Sequence, residues 1–251
     1  MEKSNVWEAE GHPLSGPNVG GEHKFLISGK KVSALYYKMP FNPEKKVTDG
    51  AHGHLSESVM YVIDGDLEVY LAGETAFLKK GDSILVPANA CIGTKVLSGK
   101  FAELLICGDA TVRGELERGE ADEGGCIVEK SNVWEAPGES MPGGGEHKIL
   151  IKSGEKVWAL YYKTPPAKPG ASVMDGAHAH PQESVFYVIE GEYEVSVGGE
   201  LATLKKGDLI TIQENTVLGT KVISSTPGEV LIVASPNTYA DWVARAKKEE
   251  H

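Results

Sequence analysis

The chain has 251 residues, 41% of them hydrophobic, and a formal net charge of −11. That balance argues against a nucleic-acid groove or an anionic membrane surface as partner, and no apolar run nears membrane-spanning length. The start, Met1-Glu2-Lys3-Ser4-Asn5, is polar and acidic rather than basic and then apolar, so no secretory leader and a cytoplasmic location are expected. The three cysteines, Cys91, Cys107 and Cys126, form no CxxC arrangement and read as unpaired thiols in a reducing compartment.

Taken in order, the chain is a duplication. Glu2-Lys3-Ser4-Asn5-Val6-Trp7-Glu8-Ala9 recurs as Glu129-Lys130-Ser131-Asn132-Val133-Trp134-Glu135-Ala136. A Gly/Pro-rich loop follows each copy, then Gly21-Glu22-His23-Lys24 and its counterpart Gly145-Glu146-His147-Lys148. Strands are expected at Phe25 to Ser28 and Ile149 to Lys152, and again at Ala34-Leu35-Tyr36-Tyr37-Lys38 and Ala159-Leu160-Tyr161-Tyr162-Lys163. Proline closes that second strand in both copies, because it cannot donate to a ladder. Past the middle of each half, short strands alternate with turns at Gly65, Ala72-Gly73 and Gly81, and at Gly191, Gly198-Gly199 and Gly207. Many short strands without a helical period between them predict a β sandwich or barrel in each half.

The expected organisation is an N-terminal barrel over 1–110, an exposed charged and Gly-rich linker over 111–126, a C-terminal barrel over 127–235 and a helix over 236–251. Asn237 or Thr238 would cap that helix, with Tyr239, Trp242, Val243 and Ala246 on one face.

One stretch carries the chemistry. Asp49-Gly50-Ala51-His52-Gly53-His54-Leu55-Ser56-Glu57-Ser58 returns as Asp175-Gly176-Ala177-His178-Ala179-His180-Pro181-Gln182-Glu183-Ser184. Histidines at i and i+2 project from one face of an extended strand, as a metal chelate requires, with a carboxylate close behind. Asp49 and Asp175 read as turn residues before each pair.

These residues resemble the cupin superfamily in its two-domain, or bicupin, form, and the resemblance covers both halves. It implies two jelly-roll barrels and a site that holds one divalent transition metal, iron, manganese, zinc or nickel. His52, His54, His178 and His180 match the paired ligands of that family's first motif. The family's third ligand falls on Ser58 and Ser184, with Glu57 and Glu183 one residue early. In the second motif Gly81 and Pro87 match, Asn89 stands for a glycine, and the ligand histidine is Ile92. The C-terminal half has Gly207, Gln213, Asn215 and Leu218 at those positions.

A bulge would turn Glu57 and Glu183 inward and make His52-His54-Glu57 and His178-His180-Glu183 two-histidine, one-carboxylate sets. Without one, a period of two sends each glutamate to the opposite face. His23 and His147 read first as hydrogen-bonded strand residues, with replacement of the lost ligand or general-base catalysis as the alternative. Tyr61 and Tyr187, beside the ligand strand, read as core residues or as proton donors. Ile92 and Leu218 make a pocket more apolar, which suits an organic ligand.

The resemblance implies a small-molecule enzyme, an isomerase, lyase or hydrolase, or dioxygenase, acting on a small organic acid or sugar-derived carboxylate. The alternative is a non-catalytic small-molecule-binding bicupin that has lost its metal centre. Assembly into a homo-oligomer through barrel edge strands is expected by analogy.

Overall fold

The computed structural model describes residues 1–109, 128–141 and 144–235. The expected linker and C-terminal helix lie outside the described residues. The regular structure among the described residues is all strand, apart from one 3₁₀ turn at Gly16–Asn18. Each half is a jelly-roll barrel in which a seven-stranded sheet faces a four-stranded one.

In the N-terminal barrel the strands Ser58–Asp64, Phe101–Asp109 and Val32–Pro40 lie side by side at the centre of the large sheet. Their alternation sorts the apolar residues into two cores. Met60 and Val62 point into the barrel, together with Leu35, Leu104 and Ile106. Val59 and Tyr61 point the other way, with Ala34, Tyr36 and Leu105, and meet the equivalent face of the second barrel. The C-terminal half repeats the pattern, with Phe186 and Val188 inside and Val185 and Tyr187 at the seam. Near-continuous hydrophobic runs such as Val59-Met60-Tyr61-Val62-Ile63 follow from this, because both faces of the strand are covered.

The repeat has one consequence that register makes plain. Strand Lys3–Asn5 joins the large sheet of the C-terminal barrel, Lys3 opposite Ile210 and Asn5 opposite Asp208. Reciprocally, Lys130–Asn132 joins the N-terminal barrel, Lys130 opposite Ile84 and Asn132 opposite Asp82. Two matched clasps hold the exchange. Asn5 Nδ2 donates to Asp208 (2.6 Å) and Asn132 Nδ2 to Asp82 (2.7 Å). Lys3 and Lys130 each reach the same carboxylates at 2.9 Å. Both aspartates are 1% exposed and accept one main-chain bond within their own barrel, from Lys79 or Lys205, so each buried charge draws its remaining partners from the exchanged strand.

Candidate ligand site at the barrel mouths

His52 opens the edge strand His52–Gly53 of one four-stranded sheet, with His54 directly after it, and His178 and His180 both lie on the edge strand His178–His180 of the other. His52 is opposite Ile92, and His178 is opposite Leu218. Directly paired residues share a face, and Ile92 and Leu218 are core residues of their barrels, so the imidazoles face inward at the mouths. The paired rings lie 5.0 Å apart in the N-terminal half and 5.1 Å apart in the C-terminal half. Nδ1 of His52 and of His178 lies 2.9 and 3.1 Å from the carbonyls of Gly50 and Gly176, so the DG turn before each pair orients its first ring. Asn89 and Asn215, at the family's glycine position, have φ of 62° and 60°, the left-handed region that asparagine tolerates best after glycine. That bend aims their N–H groups at the carbonyls of His54 and His180.

The two carboxylates do not join the histidines. No bulge intervenes, and the period of two sends Glu57 and Glu183 across the seam between the barrels. Glu57 accepts from the main-chain N–H groups of Glu155 (3.0 Å), Lys156 (2.7 Å) and Val157 (2.9 Å). Glu183 accepts from Lys31 (2.8 Å) and Val32 (3.0 Å). They are interdomain clamps on the turn that precedes a central strand of the other half. The expected two-histidine, one-carboxylate sets therefore do not form.

His23 and His147 do not complete a set either. His23 lies against His12 and Tyr37, with ring centroids 5.6 and 6.0 Å away. His147 lies 3.6 Å from Glu139 and 6.0 Å from the Tyr162 ring centroid. Tyr61 and Tyr187 meet each other at the seam, 6.1 Å between centroids, rather than either histidine pair. Among the described residues no three of His, Cys, Asp or Glu come together as a metal-competent group. With Ile92 and Leu218 opposite the first histidines, the side chains present do not fit the four-ligand metal centre that the family implies.

Burial depresses the proton affinity of His180, helped by the neighbouring His178, bringing its pKa down to about 4. Burial, with His12 nearby, also lowers that of His23. His180 is thus a neutral imidazole near pH 7, able to donate one hydrogen bond and accept another.

What the period of two does turn inward is Ser58 and Ser184. Both hydroxyls are buried without a partner among the described residues. In the N-terminal barrel Gly108 pairs with Ser58 on one side and Ser33 on the other, and the Ser33 hydroxyl is buried and unpartnered too. In the C-terminal barrel the corresponding residues are Ala234, Ser184 and Trp158, the last a fully buried indole. Further in, Phe186 and Tyr193 of the C-terminal core stand where the N-terminal core has Met60 and Leu67. Two barrels of one topology are therefore filled differently. The C-terminal one is packed with aromatic rings, whereas the N-terminal one has Ser33, Gly108, Met60 and Leu67 at the corresponding positions.

The comparisons with known proteins accord with this architecture. A search of curated protein sequences gives no match. Among solved structures, the protein YlbA from E. coli superposes with a TM-score of 0.68 at 13% identity, covering 94% of this chain and 90% of that one. The formate complex of Lactobacillus farciminis oxalate decarboxylase gives 0.68 at 14% identity, covering 94% and 86%. A Bacillus subtilis oxalate decarboxylase studied for its Mn(II) centres gives 0.67 at 15% identity, covering 95% and 78%. At such identities the likeness is one of fold. The cupin domain family matches residues 41–107 and 167–234, over half of the chain and one segment in each half. With both barrels and both segments accounted for, the chain belongs to the cupin family and is a bicupin.

Proposed function

We propose that this bicupin binds a small, oxygen-rich organic molecule, an organic acid or sugar-derived carboxylate, in the mouth of its N-terminal barrel, and that the C-terminal barrel is the supporting half. The observation that carries the reading is the difference in filling. Ser33, Gly108 and Ser58 lie side by side on the inner face of the large sheet where the other barrel has Trp158, Ala234 and Ser184. Buried hydroxyls and imidazoles are directional partners for ligand oxygens, and Ile92 and Val86 supply the apolar remainder of such a site. Binding on this reading needs no metal centre, because Glu57 is held by main-chain donors of the other half.

A second reading, a metal-dependent isomerase, lyase, hydrolase or dioxygenase, draws on one observation. Both pairs keep their rings side by side on a common face, as a chelate does. Metal content of untagged protein purified without chelators, together with a thermal-shift screen of small carboxylates and sugar acids, separates the two. The binding reading expects a stabilising acid whose effect disappears in His52→Ala/His54→Ala and persists in His178→Ala/His180→Ala. Near-stoichiometric metal that is lost with one histidine pair would replace it with the enzyme reading.

A further inference from the structure

The duplication gives most features twice, but anything on the pseudo-two-fold axis occurs once per chain. One such feature is a groove of about 540 Å³ between the barrels, lined by none of the paired histidines. Tyr61 and Tyr187, each 2% exposed, form its floor. Trp7 and Trp134, 44% and 46% exposed, stand as its walls. A half-exposed indole costs hydration free energy, and these two are held in place rather than left to move. Trp7 Nε1 donates to Glu103 (3.0 Å) and Trp134 Nε1 to Glu229 (3.3 Å). One side of each ring also lies against a turn glycine, Gly207 for Trp7 and Gly81 for Trp134.

The polar groups narrow the choice of occupant. Glu103 and Glu229 are already engaged, by the indoles, by the hydroxyls of Tyr36 and Tyr161, and by Lys38 (3.8 Å) and Lys163 (3.2 Å) behind them. At the rim Lys80 pairs with Asp64 (3.7 Å) and Lys206 with Glu190 (2.7 Å). The charges balance, so no net field selects a cation or an anion. The hydroxyls of Tyr61 and Tyr187 differ from those of Tyr36 and Tyr161 in making no hydrogen bond to a carboxylate. What remains for recognition is a pair of fixed aromatic walls over two phenol hydroxyls.

We infer that the groove is a binding site for one planar, uncharged aromatic molecule per chain, of two or three fused rings and carrying an oxygen that accepts a hydrogen bond. The volume suits such a ligand, and ring stacking with a central phenol donor supplies both contact area and orientation. Because each half contributes a wall and a floor residue, the site requires both barrels. It is independent of the mouth site proposed above.

Coumarin, 2-naphthol and quinolin-2-one are the probes, titrated into the full chain by tryptophan fluorescence and by calorimetry. At least one should bind with a stoichiometry of one. Tyr61→Phe/Tyr187→Phe, which keeps the ring packing at the seam, should weaken it about tenfold through two lost hydrogen bonds. Trp7→Leu/Trp134→Leu should abolish binding, and Ser33→Trp, at the N-terminal mouth, should leave it unchanged. Absence of binding by all three probes overturns the inference, as does a stoichiometry of two. Binding that survives both double variants but is lost in Ser33→Trp also overturns it, and would assign the probes to the mouth instead.

Discussion

Glu57 separates the architecture seen here from the one the motif suggests, and its removal can be priced from the structure. Glu57→Ala leaves the N–H groups of Glu155, Lys156 and Val157 without their acceptor. Val157 is fully buried, whereas Glu155 and Lys156 are exposed residues whose N–H groups regain water. A stranded buried donor costs about 1–3 kcal/mol and a lost bond to a charged acceptor about 1.5–3. Counting about 3 kcal/mol for Val157 and about 0.5 kcal/mol for each of the other two, which exchange the carboxylate for water, gives a loss of about 4 kcal/mol. For a chain of this size that is a fall in Tm of roughly 8–16 °C. Glu57→Gln keeps one oxygen for Lys156 and Val157 but sets an amide NH₂ against the Glu155 N–H. It should cost only about 1.5 kcal/mol, or roughly 3–6 °C. Thermal and urea unfolding, followed by circular dichroism and fluorescence together to test for a single transition, measure both variants. A Glu57→Ala protein melting within about 2 °C of the parent, and differing from it only in bound metal, would refute the clamp.

Three further outcomes follow from the same contacts. His180 is held to a pKa of about 4 against an ordinary value of 6.5, so protons bind the unfolded chain more tightly. Stability is therefore full above pH 6.5 and declines as pH falls toward 4, by about 2–3 kcal/mol, and His180→Gln should flatten that part of a Tm-against-pH curve. Trp158→Ser opens a cavity in the aromatic core of the C-terminal barrel and should cost about 3–5 kcal/mol, whereas Ser33→Trp overpacks its counterpart by about 1–3; equal costs in denaturant titrations would contradict the unequal filling. Asn132→Ala removes the donor to Asp82 and the acceptor for the Trp134 N–H (2.9 Å), and Asn5→Ala does the same to Asp208 and the Trp7 N–H (2.9 Å). Each should cost about 2–3 kcal/mol in chemical unfolding, and a loss below about 0.5 kcal/mol would argue against the strand exchange.

The fold was readable because its signals are local. Glycine turns and alternation mark the strands, and the repeated Val6-Trp7 and Val133-Trp134 segments mark the duplication. Asn89 and Asn215 also sit where the family pattern asks for glycine, and they adopt the backbone that pattern demands. Glu57 was legible only by trusting the period of two over the motif, since a strand without a bulge must send it away from Ser58. The strand exchange was not legible at all. Lys3-Ser4-Asn5 and Lys130-Ser131-Asn132 are identical, and each meets a Gly-Asp turn, so the local chemistry of the exchanged and unexchanged pairings is the same. Only the path of the intervening chain distinguishes them. Ser33 and Gly108 were missed for a related reason. Neither belongs to a motif, and their meaning appears only when two ladders set Ser33 and Ser58 on either side of Gly108.

The two faces of the central strands show different constraints. At the centre of the seam the copies match, Tyr61 with Tyr187, Tyr36 with Tyr161, Glu57 with Glu183, and Glu103 with Glu229, while Cys107 against Val233 and Leu85 against Thr211 differ farther out. A two-fold contact meets itself there, so each substitution must fit its own counterpart, and identity on both sides is the simplest solution. Inside the barrels no such coupling acts, and alongside kept pairs such as Val62 and Val188 others diverge, Ser33 against Trp158, Met60 against Phe186, Leu67 against Tyr193 and Gly108 against Ala234. These four add volume to the C-terminal core, against smaller losses at Leu71 to Val197 and Leu104 to Val230. Packing one barrel tightly while leaving hydroxyls and a glycine in the other makes mechanical sense if the seam transmits the rigidity of the filled barrel to the mouth of its neighbour. Glu183 is the physical link, because it reaches from the start of a filled-barrel strand to the N–H groups of Lys31 and Val32, directly before Ser33.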